Sequence, residues 1–349
     1  PAPPAVERHL GGQGLWYKKA AAGDKRLGKL VTIARSRKFR EQHGKVLLEG
    51  QRLIRDALEA GAALRTLFFS AVEQLKALPE AKLKGADLVK VKFEDLKSWS
   101  DLVAPQGLLG IFSKPDYGKM AYPAAQLTSS LPMVLICDNI RDPGNLGTIL
   151  RSAAGAGCEK VLLTKGCVDL WEPKVLRAGM GAHFRVPIIA NLDWEAVPEK
   201  LPVGARVCVA DNRDAGARTE PELVAGSAGS SAAAPSASKP QPEARPAEAE
   251  ARQGMGGAGV PGLPAQCYYE SWARAPVAVV VGGETQGVSA GALLLAASTG
   301  GKRLVIPVVP GVDSLNSATA AAIVLFEGKR QLRGSHQQGD ERQKLPAVG

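Results

Sequence analysis

Cysteine and histidine are too few and too scattered in this 349-residue chain to suggest a metal centre or a disulfide framework. The five cysteines, Cys137, Cys158, Cys167, Cys208 and Cys267, form no C-x-x-C pair. Their odd number argues for free, buried thiols in a reducing compartment. The four histidines, His9, His43, His183 and His336, show no ligand spacing, so no metal is expected. No stretch reaches the ~18 uninterrupted apolar residues of a membrane span. No G-x-G-x-x-G follows the strand that opens the second half, so a Rossmann dinucleotide site loses its main support. Acidic residues are in deficit: 34 Asp and Glu face 44 Lys and Arg, a net charge of +10. That balance favours a polyanionic partner and is silent about fold.

What is present fits about two domains, each long enough to bury its own core. Residues 1–28 are rich in Pro, Gly and Ala and read as a flexible arm that turns basic. Between Arg8 and Lys45 eleven Lys or Arg, among them Arg35, Arg37 and Lys38, face only Asp24 and Glu41. A charge run is ordinarily a solvated face, but an excess of this size would attract phosphates at low salt. Residues 29–113 alternate short strands (46–48, 66–69, 87–93, 108–112) with amphipathic helices (51–60, 71–78), a small α/β unit. Residues 114–132 have linker composition. A second α/β domain is expected over 133–330, with strands at 133–137, 161–164, 184–189, 206–210, 277–281 and 304–306 and a helix from Leu146 to Ala156. Residues 213–273 read as a disordered insertion within it: from Ala215 to Ala265, 34 of 51 residues are Ala, Gly, Pro or Ser and none is aromatic. Residues 331–349 read as a tail.

Three polar turns each follow an apolar strand: Asp138 to Asn145, Gly282 to Gly287, and Pro307 to Asn316. In a mostly parallel sheet, loops at the carboxyl ends of strands line the ligand crevice. Each turn also has an ordinary reading. Asn145 could cap a helix, Arg151 could be a surface ion-pair residue, Gly282-Gly283-Glu284 could be a tight turn, and Asp313 or Ser314 could cap the Ala-rich helix that follows. Asn316 fits the ordinary reading least, because a side-chain amide at the mouth of an apolar helix needs a partner or a ligand.

Taken in order, the three turns resemble the SpoU, or TrmH-like, group of the SPOUT superfamily. Asp142-Pro143-x-Asn145-x-Gly147-x-x-x-Arg151 resembles its first motif, Gly282-Gly283-Glu284-x-x-Gly287 its second, and Ile306-Pro307 through Ser314-Leu315-Asn316 its third. Where that family commonly has Asn-Val-Ser, this chain has Asn316-Ser317-Ala318. Arg35-Ser36-Arg37 and Leu48-Glu49-Gly50 are similar to the L30e-like substrate-binding module that precedes such domains. The resemblance implies a trefoil-knotted α/β methyltransferase domain that uses S-adenosylmethionine and acts as a homodimer on a ribose 2′-OH of RNA. Gly282, Gly283, Ile306 and Leu315 would bind the cofactor; Arg151, Asn145, Glu284, Ser314 and Asn316 would be catalytic. The insertion and basic arm are similar to mitochondrial members that methylate a guanosine in large-subunit ribosomal RNA. They imply the mitochondrial matrix, with the targeting segment outside a chain that opens on Pro1. Methylation of tRNA, and a non-catalytic RNA-binding assembly factor of the same fold, remain alternatives.

Overall fold

The computed structural model describes residues 7–9, 15–20, 24–99, 105–212, 262–312 and 314–343. The first unit runs β1 (Glu7–His9), β2 (Trp16–Lys19), α1 (Lys25–Arg35), α2 (Arg37–His43), β3 (Lys45–Glu49), α3 (Gln51–Glu59), β4 (Leu64–Phe69), α4 (Glu73–Lys76), α5 (Glu80–Leu83), β5 (Asp87–Lys90), α6 (Phe93–Trp99) and β6 (Leu108–Ser113). Its sheet has the order β1-β2-β5-β4-β6-β3. β2, β5 and β4 run parallel, whereas β6 runs antiparallel to both β4 and β3. Gly50, at φ 94°, makes the turn from β3 into α3 that side chains rarely adopt. α3 then buries Ile54, Ala57 and Leu58.

Several expectations for this unit change. Trp16–Lys19 belongs to the sheet and not to a flexible arm. Leu15 is buried, Tyr17 meets Phe69 edge-on at 5.5 Å, and β2 pairs with β5. The packing of a few aromatic and aliphatic groups overrides the composition around them. The helix expected over 71–78 shortens to Glu73–Lys76, and a second short helix, Glu80–Leu83, follows Pro79. Phe93 starts α6 and does not end a strand.

The second unit runs α7 (Ala124–Thr128), β7 (Leu131–Asp138), α8 (Pro143–Ala156), β8 (Cys158–Thr164), α9 (Pro173–Gly179), β9 (Ile188–Leu192), β10 (Arg206–Ala210), β11 (Ala265–Cys267), β12 (Val277–Gly282), α10 (Ala290–Ser298), β13 (Arg303–Val305) and α11 (Ser317–Gln343). Its sheet, β11-β13-β10-β12-β7-β8-β9, is parallel throughout. Helices cover both faces, so the central strands are apolar on both sides. Along β7, Met133, Leu135 and Cys137 join the core that contains Ile149 and Leu150 of α8 and Val324 of α11, while Val134 and Ile136 join Ala292 and Ala296 of α10. α8 has Asp142 as N-cap, Pro143 in its first turn and Gly157 in the left-handed conformation at its end. Burial pushes the Cys158 thiol up to about 12.

This unit departs from expectation at its irregular joints. The strand expected over 184–189 begins only at Ile188, as β9, and a 3-10 turn covers Ala182–Phe184. The stretch read as linker holds α7 and the start of β7. The end of the expected insertion is built into the fold, since Ala265–Cys267 pairs with β13 and Trp272 is buried. The rest of the insertion, 213–261, lies outside the described residues. The expected tail is helical to Gln343; Leu332 is buried, and Gln331 Oε1 accepts from the Trp272 and Ala273 amides at 3.0 Å each. Among the described residues, no helix is long and apolar enough to cross a membrane.

Candidate active site

Because every strand of the second sheet points the same way, the segments after β7, β12 and β13 emerge along one edge. Side chains there tie them together. Glu284 Oε1 accepts from Asn145 Nδ2 at 2.9 Å and from Asn316 Nδ2 at 2.6 Å, and Asn316 Nδ2 also approaches Asn145 Oδ1 at 3.0 Å. The Ser317 amide at the head of α11 completes the group, 3.4 Å from Glu284 Oε1. The carboxylate therefore lies against the first turns of α8 and α11, where helix dipoles and unpaired amides favour negative charge. Asn316 Oδ1 meanwhile accepts from the Ala318 and Thr319 amides at 2.9 and 3.2 Å. The cap of α11 is thus Asn316. Asp313, one alternative, lies outside the described residues, and Ser314 precedes the cap by two positions.

Beside this cluster is a cavity of about 210 Å³, lined by Gly282, Gly283, Glu284, Ile306, Ser314 and Leu315 among others. A Cβ on Gly282 would stand 2.3 Å from the Gly287 carbonyl carbon, and one on Gly283 would stand 2.7 Å from the Asn139 carbonyl oxygen, so only glycine lets these loops close. The Ile306 backbone is clamped on both sides: its amide donates to Asn212 Oδ1 at 3.0 Å and its carbonyl accepts from Asn212 Nδ2 at 2.7 Å. A glycine-lined hollow bordered by fixed backbone groups fits a cofactor held mainly by main-chain contacts.

The structure thus joins Asn145, Glu284 and Asn316, and places Gly282, Gly283, Ile306, Ser314 and Leu315 around one hollow. It does not draw Arg151 into the cluster. Six residues after Asn145 on α8, Arg151 faces a different direction, is exposed, and makes no hydrogen bond or ion pair among the described residues.

Three supporting residues escaped the sequence reading. Asn212 follows β10, which is not one of the three motif strands. Asp138 is buried and holds the second loop: its Oδ2 accepts from the Ser289 amide at 2.6 Å and its Oδ1 from Thr164 Oγ1 at 3.3 Å. Gln286 Oε1 accepts from Asn139 Nδ2 at 2.5 Å, again joining the first and second loops. A polar residue closing a wholly apolar strand was the available signal for Asp138; Asn212 carried none.

Comparison with known proteins identifies the family. Residues 132–326 match the SpoU rRNA Methylase family, and residues 26–110 match the MRM3-like substrate binding domain. The chain is 62% identical to human "rRNA methyltransferase 3, mitochondrial", covering 92% of this chain and 76% of that protein. It is 30% identical to an uncharacterized tRNA/rRNA methyltransferase of Synechocystis, over 84% of this chain and 87% of that one. Among solved structures, an AdoMet-bound rRNA methyltransferase from Sinorhizobium meliloti superposes with a TM-score of 0.64 at 23% identity, over 90% of this chain and 98% of that one, a likeness of fold. With its three motif loops tied around one hollow and more than half its length matched, the chain belongs to the SpoU rRNA methylase family.

Proposed function

We propose that this protein methylates the 2′-hydroxyl of a guanosine ribose in large-subunit ribosomal RNA, in the mitochondrial matrix and as a homodimer. Its relatives named as mitochondrial rRNA methyltransferases support the substrate and the compartment. The observation that carries the chemistry is the hydrogen-bonded set Asn145, Glu284 and Asn316 beside the glycine-lined hollow.

Gly282, Gly283, Ile306 and Leu315 hold S-adenosylmethionine in this reading. When bound, the cofactor supplies a methyl group on a sulfonium sulfur. The chain's own residues must bring the ribose hydroxyl into line, stabilise the oxygen as its proton leaves, and keep water out. Arg151 stays protonated in proteins and is a poor base. Its planar fork is suited to gripping the ribose and adjacent phosphate and to stabilising the developing alkoxide. Asn145, Glu284, Ser314 and Asn316 orient the substrate. Phe326, 48% exposed on α11 beside Gly155 of α8, offers an apolar contact for a second copy.

Calorimetric titration with S-adenosylmethionine, followed by mapping of 2′-O-methyl groups in RNA from depleted cells, tests this reading. Tight cofactor binding and loss of one guanosine methyl from large-subunit mitochondrial RNA are expected. Lack of cofactor affinity would leave an RNA-binding assembly factor; loss of a methyl from tRNA would reassign the substrate.

A further inference from the structure

The two domains meet along a groove of about 660 Å³ that the site above does not use. One wall is the junction of α1 and α2, with Arg35 and Arg37; the other is α9, with Lys174 and Arg177. Its floor is a buried ion pair. Arg40, 4% exposed, donates through Nη1 to the Ile33 and Ala34 carbonyls at 2.7 and 2.6 Å, and its Nη2 stands 2.6 Å from Asp169 Oδ2. These contacts engage the Arg40 charge within the protein and join the domains at this point.

The four cations on the walls differ from Arg40 in being exposed. Against them the groove lining offers only Glu172 besides the already paired Asp169. Arg37 lies 2.8 Å from Glu41, and Lys174 lies 3.6 Å from Asp142 Oδ2. Solvent-exposed pairs of this kind are weak and screened, so an incoming phosphate can displace them. Lys174 also gives the groove a direction. Asp142 caps α8, and the Lys174 side chain passes 3.7 Å from where a Gly144 Cβ would stand, so the groove ends at the first loop of the active site.

We propose that the groove between α1–α2 and α9 is a sequence-independent track for the RNA phosphate backbone. Cations from both domains grip the strand, and Lys174 delivers it to the loop that carries Asn145. The methyltransferase domain thereby contributes half of the grip, which the basic charge of the first forty-five residues would not suggest. The inference rests on the proposed function, since it presumes an RNA substrate.

The test is binding of labelled poly(U) to the full chain over a salt series, with poly-glutamate as a competing polyanion. The Lys174→Gln/Arg177→Gln protein should bind about tenfold more weakly at moderate salt. The slope of log affinity against log salt should flatten by roughly 1.4, the release of counterions from two single-strand contacts. Arg35→Gln/Arg37→Gln, on the facing wall, should do the same, and Lys174→Arg/Arg177→Lys should keep the wild-type slope. S-adenosylmethionine affinity should stay unchanged in all three. An unchanged slope in both neutralised proteins, equal loss in the charge-preserving one, or preference for poly-glutamate over poly(U) would overturn the track. In those cases wild-type protein still binds and methylates RNA; a wild-type chain that does neither defeats the functional reading instead.

Discussion

The two sheets of this chain place polar residues differently, and the difference follows from strand direction. In the second sheet every strand is parallel, so the segments leaving β7, β12 and β13 converge on one edge, and Asn145, Glu284 and Asn316 meet although as many as 171 positions separate them. In the first sheet β6 runs against β3 and β4, and the polar contacts where their loops meet are made by uncharged groups: Gln106 accepts from the Gln51 amide and from Gln74 Nε2, and Gln74 Oε1 accepts from the Ser70 and Ala71 amides. What the first domain offers is exposed charge on α1 and α2. A parallel sheet concentrates chemistry at a point; a mixed sheet leaves its domain to act as a surface.

The two domains are tied together by the Arg40–Asp169 pair, and the largest expected effect comes from breaking that. Arg40→Met removes a buried guanidinium and leaves Asp169 and two carbonyls without their donor. Loss of one partner of a buried pair costs about 3–5 kcal/mol, and the partial exposure of Asp169 puts the expectation at the low end. A urea titration should show it, with cofactor affinity retained by the second domain.

Acid should act within the second domain, beside α9. His183 is fully buried with Nε2 2.9 Å from the Leu170 carbonyl, and burial lowers its pKa from 6.5 to about 4. The unfolded chain therefore takes up a proton between pH 6.5 and 4 while the folded one does not, and stability falls as pH drops through that window, by roughly 3 kcal/mol at most. The thermal midpoint of His183→Gln should depend less on pH over that range; an identical dependence in both proteins would assign the acid sensitivity elsewhere.

Arg151→Ala sharpens the contrast on the catalytic side. If the guanidinium stabilises charge that appears only in the transition state, single-turnover methylation should fall about a hundredfold while cofactor affinity holds. Arg151→Lys should recover little, because a point charge lacks the planar fork. A near wild-type rate for the alanine protein would make Arg151 a surface residue. The smallest effect is expected from replacing residues 213–261 by a short Gly/Ser linker. Loop-closure entropy changes slowly with length, so the melting temperature should move by no more than about two degrees. A larger fall would show that the segment packs on the domain.

Legibility in the sequence followed periodicity and packing density. β7, α8, β10 and β12 were readable because long apolar runs ended at clear turns, as at Gly157, although α8 begins at Pro143 with Asp142 as its cap and not at Leu146 behind Asn145. The converging motif loops were readable because their order is distinctive. Trp16–Lys19 and Ala265–Cys267 were not: each is three or four residues long, embedded in Pro-, Gly- and Ala-rich chain, and ordered by a partner strand distant in sequence. The direction in which Arg151 points was not readable for a different reason. Spacing along a helix constrains reach, but six residues turn the side chain well away from Asn145, and only coordinates reveal what lies on that side.

The bond between Asn316 and Glu284 also has a meaning in time. Synthesis releases the chain from its amino end, and β12 enters the middle of the second sheet, between β7 and β10, after both of its neighbours have been made. The last member of the cluster, Asn316, emerges only when the whole sheet is present. Every strand of the first sheet, by contrast, precedes residue 114. A polypeptide halted by a premature stop near residue 300 would keep the basic surface of its first domain while lacking the third loop, and would compete for RNA it could not modify.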